Sequence, residues 1–259
     1  MKKILLVSLL IFPILCFAQY DLSPAKLRNL SIGFSFAPEF SYRTVKSDLL
    51  NDEVLNILSG NEKPKFGATA GFNAEYNFTN YLSLETGVLL SNKGYNKNFT
   101  SREGSQYSNK QNYSFNYYYL DIPLKIKYYF LGLSKIRFFA SGGVIFNPYL
   151  FRKIYLNNKD ITTQYIDYTI REIQTPSPPT PGTIHDNSIS IILAPNENLQ
   201  YNKLNFSGTI SLGASYNIDE RLALEAQLEY KHALAPLNNF DIEARLFSLG
   251  LNLSIHYKL

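Results

Sequence analysis

From residue 30 onward, apolar and polar residues alternate with period two through eight separate segments. In the first, Leu30, Ile32, Phe34, Phe36, Phe40 and Tyr42 share one face, and Ser31, Gly33, Ser35, Ala37, Glu39 and Ser41 the other. In the second, Phe66, Ala68, Ala70, Phe72, Ala74, Tyr76 and Phe78 oppose Gly67, Thr69, Gly71, Asn73, Glu75 and Asn77. The pattern recurs over residues 82–91, 118–130, 136–146, 205–216, 222–231 and 247–259. Thr86, Leu89, Phe139 and Ile145 interrupt it, and Pro123 predicts a bulge because it cannot donate to a strand ladder. The period is that of half-exposed β-strands, and it predicts eight of them.

The polar faces are small and weakly charged, being rich in Gly, Ser, Thr and Asn, as a narrow crowded interior requires. The connections alternate in length. Those after the second, fourth and sixth strands are short, at residues 79–80, 131–135 and 218–221. Those after the first, third, fifth and seventh are long, at about 43–65, 92–117, 147–204 and 232–245. This predicts an all-β fold: an eight-stranded antiparallel up-and-down transmembrane β-barrel with short periplasmic turns and long extracellular loops. Aromatic residues are placed as such a barrel needs. Tyr76, Phe78, Tyr81, Tyr128, Phe130, Tyr216 and Tyr257 lie toward the short turns, and Phe40, Tyr42, Phe66, Tyr118, Phe146, Phe206 and Phe247 toward the long loops. Ten residues at about 3.3 Å each, tilted about 45°, cover roughly 23 Å of hydrocarbon.

Composition narrows the alternatives. The 259 residues are 45% hydrophobic, 15% aromatic and only 18% charged, and beyond the first residues no apolar run reaches the roughly 18 needed for a membrane helix. Lys2 and Lys3 precede an apolar stretch over 4–17 and then Ala18-Gln19, the plan of a secretory signal peptide cleaved between Ala18 and Gln19. The domains expected are therefore a signal peptide over 1–18 and a barrel over 19–259. Cys16 is the only cysteine and would leave with the leader, so disulfides and thiolate metal sites are not expected. Without Lys2 and Lys3 the formal charge is (25 − 2) − 21 = +2, too small to suggest nucleic acid.

The candidate chemistry lies on the inward face. Glu39, Glu75, Glu85, Asp121, Glu225 and Glu229 are expected there with Lys125, Lys127, Arg137 and Lys231. Eight strands enclose room for side chains only, so these ten predict a paired polar plug rather than an ion path. Ser254 and His256 point the same way on the last strand, and a serine beside a histidine is the start of an acyl-transfer site. No carboxylate to orient the ring is identifiable, and His185 and His232 lie elsewhere, so neither a catalytic site nor a metal or cofactor site is expected.

The strand Tyr119-Leu120-Asp121-Ile122-Pro123-Leu124-Lys125-Ile126-Lys127-Tyr128, with Leu82-Ser83-Leu84-Glu85-Thr86-Gly87 and Phe138-Phe139-Ala140-Ser141-Gly142-Gly143, resembles the PorT-like outer-membrane β-barrel family, abundant in Bacteroidota. The resemblance covers about residues 30–259 and implies a barrel and an outer-membrane address. Most members have no assigned activity, so it implies no reaction.

The loops are where recognition is expected. Asn51 and Gly60 could cap a short helix in the first. The second, with Lys93, Lys97, Arg102 and Lys110 among tyrosines, is basic and aromatic. In the third, Pro176-Ser177-Pro178-Pro179-Thr180-Pro181-Gly182 divides flanks 161–174 and 188–193 that predict an extended hairpin. The sequence therefore describes a non-enzymatic structural or binding barrel of the outer membrane. Its expected partners are outer-membrane lipids, the barrel-assembly machinery during insertion, and a protein or glycan at the extracellular loops. An accessory of type IX secretion, a small-solute pore and a lipid-modifying hydrolase are the alternatives.

Overall fold

The computed structural model describes residues 29–47, 62–102, 108–133, 135–157, 159–160, 168–174, 190–195, 202–237 and 242–259. The strands are β1 (Leu30–Ser47), β2 (Glu62–Asn77), β3 (Leu82–Arg102), β4 (Ser108–Leu133), β5 (Ile136–Leu156), β6 (Lys159–Asp160), β7 (Tyr168–Gln174), β8 (Ser190–Pro195), β9 (Leu204–Asn217), β10 (Leu222–Ala233) and β11 (Ile242–Lys258). The expected leader with Ala18 and Gln19, the helix over 51–60, the proline-rich tip and His185 lie outside the described residues.

Eight strands close a ring. Neighbours pair antiparallel in the order β1, β2, β3, β4, β5, β9, β10, β11, and β11 returns to β1 through Ser31 opposite Lys258 up to Ser47 opposite Ile242. Closure is what hydrocarbon demands, since each unpaired backbone group there costs several kcal/mol. The short turns are built locally. Thr79 accepts a hydrogen bond on its hydroxyl from the Leu82 N–H at 3.0 Å, and Asp219 accepts the N–H groups of Arg221 and Leu222 at 2.7 Å each.

The alternation has the expected phase. Ile32, Phe34, Phe72, Val88, Leu90, Ile126, Ile210, Leu212 and Leu251 are exposed on the outer wall, while Ser35, Glu39, Thr69, Glu85, Lys127, Ser215 and Gln227 are buried inside. Three of the four interruptions are inward apolar residues: Leu89, Phe139 and Ile145 are all buried. The small inward positions make room for large ones. A Cβ on Gly213 would lie 2.7 Å from the Phe139 ring, and one on Gly250 would lie 2.6 Å from the Glu39 Cβ.

Two expectations are corrected. Pro123 carries no bulge: it sits opposite Ile145 in unbroken register with β5. The irregularities of β4 fall at Tyr118/Tyr119 and Tyr129/Leu131, near the two ends of the membrane band. On its other side the pairing with β3 skips Pro123 and Ile122, between Leu124 opposite Thr86 and Asp121 opposite Leu89, without a shift of register, as a residue lacking an N–H allows.

The loops are also shorter than expected, because the strands continue into them. β3 and β4 pair as far as Arg102 opposite Ser108, and β4 and β5 as far as Tyr113 opposite Leu156. Above the upper girdle the polarity of the wall reverses. Tyr95, Phe115, Tyr117, Ile154, Ala244 and Leu246 are buried together there. In the third long connection, Asn157 turns with φ 46° into β6, and β7 pairs antiparallel with β8, which is the expected hairpin.

Candidate functional site

Nine of the ten predicted plug residues converge in the lumen. Nine are 5% exposed or less, and the exception is Arg137. Arg137 is half-buried toward the periplasmic end, with its guanidinium 4.1 Å from the Tyr129 ring centroid. The register explains the convergence. Lys125 and Lys127 on β4 lie beside Glu85 and Ser83 on β3, and the ring is narrow enough for both ammonium groups to reach β10 on the far wall.

At the periplasmic end, the Lys127 Nζ lies 2.7 Å from Glu75 Oε2, 2.7 Å from Glu225 Oε2 and 3.1 Å from Glu85 Oε2. The Tyr129 hydroxyl, two residues on along β4, donates to Glu75 Oε1 at 2.9 Å. One strand thus ties β2 to β10 across the lumen. In the middle, Lys125 Nζ lies 2.6 Å from Glu85 and 3.3 Å from Glu229, and Lys231 Nζ lies 3.0 Å from Glu39 and 3.6 Å from Glu229. Hydroxyls complete the carboxylates: Thr69 and Ser248 donate to Glu39 at 2.8 and 3.0 Å, and Thr209 to Glu229 at 3.0 Å.

Nearer the outside, Lys93 Nζ donates to Asp121 at 2.7 Å, and Asn147 holds the other Asp121 oxygen at 2.7 Å. Lys93 was expected in a basic loop, and its place in the plug is a correction. Lys65, also outside the predicted set, is buried and donates to Asn92 Oδ1 at 3.0 Å. These two lysines reduce an imbalance in the sequence reading. Six carboxylates faced four cations; with Lys65 and Lys93 inside and Arg137 only half-buried, the six face five buried lysines. A buried charge is tolerated only with its partners, and the two lysines bring the signs closer to balance. The signal for both lysines was available in the continued alternation Ser91-Lys93-Tyr95 and Lys65-Gly67-Thr69.

An aromatic lid covers the plug. Tyr95 stacks on Phe115 at 4.7 Å between centroids, Tyr119 meets Tyr149 edge-on at 5.9 Å, and the Arg43 guanidinium lies 4.1 Å over Tyr95 while pairing with Glu62. The segment after β10 folds across this cluster. Leu237 is buried in it and is fixed by backbone bonds to Ala244 O at 2.7 Å and from Asn202 N at 2.9 Å. Two cavities of about 20 Å³ lie within, one between plug and lid beside Lys93 and Tyr119, the other beside Glu85 and Asp121. Each has room for about one water.

Ser254 and His256 lie at the periplasmic end, both buried. His256 Nε2 is 3.1 Å from Ser254 Oγ and 3.5 Å from Glu225 Oε2. In an acyl-transfer site one ring nitrogen faces the serine and the other the carboxylate. Here the same nitrogen faces both, and Nδ1 has no hydrogen-bond partner among the described residues. Glu75, Glu225 and His256 bring ligand atoms within 4.8 Å of one another, as a metal centre would. Lys127 Nζ, at 2.7 Å from both carboxylates, occupies the cation's place among them. His232 faces outward beside Tyr230, whose hydroxyl is 3.2 Å from its Nδ1.

Among solved structures, the chain is similar to Neisserial surface protein A (13% identity, 89% of this chain and 97% of that one, TM-score 0.42). It is similar also to Ail, the attachment invasion locus protein of Yersinia pestis (13%, 88% and 99%, 0.31), and to the outer membrane protease OmpT from Escherichia coli (8%, 94% and 100%, 0.42). No curated protein sequence matches it. The family model for the outer membrane protein beta-barrel domain matches residues 17–239, so the chain belongs to that family and is an integral protein of the outer membrane.

Proposed function

We propose that the protein is a sealed, non-enzymatic barrel whose extracellular end carries recognition, with no solute path through its lumen. The observation that supports this reading most is the unbroken network from Glu75 through Lys127, Glu85, Lys125 and Glu229 to Lys231 and Glu39, capped by the aromatic lid. Opening a path means separating several buried ion pairs at once, and each unpaired buried charge costs about 3–5 kcal/mol.

The strands that outrun the membrane band, β3, β4 and β5, make a stiff wall that a macromolecular partner could dock against. A narrower form of the reading, suggested by the PorT-like strand motif, is an accessory component of protein secretion, and the stiff wall is the observation that favours it. Both forms are tested by purifying the tagged protein from gently solubilised native outer membrane, before and after proteolytic shaving of the cell surface. A partner that copurifies in fixed ratio and is lost on shaving supports recognition at this end. Partner-free protein that releases entrapped sugar from vesicles overturns it.

A further inference from the structure

The two rims of the barrel differ in charge. Above the upper girdle, Lys46, Lys63, Lys153, Lys203 and Arg245 stand exposed or half-exposed on β1, β2, β5, β11 and at the start of β9. Each lies within four residues of an outward aromatic of that end: Tyr42, Phe66, Phe206 or Phe247 of the girdle, or Phe151, which pairs with the girdle's Tyr118. At about 3.3 Å per residue on strands tilted about 45°, that places them within roughly 10 Å of the girdle, at the level of lipid headgroups. Glu243 is an acid exposed among them, and it lies 3.0 Å from Arg245. Three further cations of this end are spent inside, Arg43 and Lys97 on Glu62 and Lys93 on Asp121, while Lys159 stands exposed on β6.

The lower rim carries a smaller excess. Among the described residues, Lys135, Arg137, Arg221 and Lys258 stand against Asp219 and Glu220. Two of these cations are tied to neutral partners, Lys258 to Asn217 at 2.6 Å and Arg221 to the Tyr257 hydroxyl at 3.1 Å.

The upper collar also has the apolar floor that a lipid needs. Tyr118 stacks on Phe151 at 4.5 Å with Lys153 5.9 Å from the Phe151 ring, and Tyr42 stacks on Phe247 at 5.0 Å beneath Arg245. Acyl chains can lie on the girdle while the headgroup meets the cation. We propose that this collar binds the anionic headgroups of lipids in the leaflet at the long-loop end, fixing the depth and rotation of the barrel there. The partner is a phosphate-bearing lipid at several points of the circumference, held by charge over an aromatic floor. Juxtamembrane cations gain from an anionic surface additively, so the collar acts as a whole and no one lysine is decisive.

The test uses the full-length protein in bilayers of equal phosphatidylglycerol and phosphatidylcholine, with retained lipid counted by native mass spectrometry after extraction. Phosphatidylglycerol should be enriched about tenfold on the wild type. The enrichment should fall to near unity in K46Q/K63Q/K153Q/K203Q/R245Q and stay unchanged in the lower-rim control K135Q/R221Q. Because a fivefold variant can misfold, wild-type enrichment is also followed against salt. Near 1 M, where screening acts within about 3 Å, it should vanish. Enrichment that survives salt, that persists in the folded collar variant, or that the lower-rim control abolishes equally, overturns the proposal.

Discussion

Within the membrane band the wall is apolar outside and charged inside, whereas above the upper girdle the same strands are aromatic inside. On β3, Glu85 points into the band's lumen and Tyr95 into the cap; on β4, Lys125 and Phe115 repeat the contrast. The backbone alternation is continuous, so the reversal is not a change of fold. It follows the surrounding solvent. In hydrocarbon the outer face gains nothing from burial, and the interior must be held by directed ion pairs and hydrogen bonds. In water the cap can use the hydrophobic effect, and its interior is built like that of a soluble protein.

This contrast can be broken at four places. The largest effect is expected from Lys127→Met, which leaves Glu75 and Glu225 facing each other without the ammonium between them. It should destabilise the folded barrel by about 3–5 kcal/mol, read from the urea midpoint of the heat-modifiable band. In the cap, Arg43→Met removes the nearer of two cations on Glu62 and leaves Lys97 at 4.0 Å, so a smaller loss of about 2 kcal/mol is expected. Equal losses at the two sites would erase the distinction.

Next is Phe115→Ala, which empties a stacked ring from the lid at a cost of about 3 kcal/mol. The loss should be local. Amide exchange should quicken over 95–102 and 108–117 while the band amides of β9 and β10 stay protected. Exchange that rises uniformly would mean that lid and band unfold as one unit.

The third break lies on the outer wall. Val88→Arg at mid-band should cost about 2–4 kcal/mol, whereas Asn96→Arg on the same strand above the girdle should cost less than about 0.5 kcal/mol. Similar values in a folding titration would place the hydrocarbon boundary wrongly.

The smallest effect is at the periplasmic turn. The Arg221 and Leu222 N–H groups hold the Asp219 carboxyl below its ordinary range. A depressed folded value means that the carboxylate's contribution is present above the ordinary carboxylate pKa and fades as pH falls through the lowered one. The protection factor of the Leu222 amide, corrected for intrinsic exchange, should therefore fall in acid for the wild type and show no such step in Asp219→Asn.

The ring, its strand phases and the inward set were legible because hydrocarbon imposes one rule on every strand. Phe34, Phe72 and Leu90 face out, and Glu39, Glu85 and Lys127 face in, as alternation requires. Lys65 and Lys93 were missed because the apolar outer face stops at Phe66 and Leu90, which looks like the end of a strand. The strands continue, but above the girdle nothing requires the outer face to be apolar, so the alternation inverts around Tyr95, Phe115 and Tyr117 and reads as loop. Neither did the sequence reveal that Arg137 stops at the rim on the Tyr129 ring, or that His256 turns one nitrogen to both Ser254 and Glu225. Both depend on distances across the lumen, between strands far apart in the chain.

The most direct test of a sealed lumen is single-channel recording of the purified, folded protein in planar bilayers, wild type beside Lys127→Met. The wild type should show no steady conductance, and neither should Lys127→Met, because the Lys125 and Lys231 pairs and the aromatic lid still close the lumen. Steady nanosiemens openings in the wild type would contradict the sealed barrel.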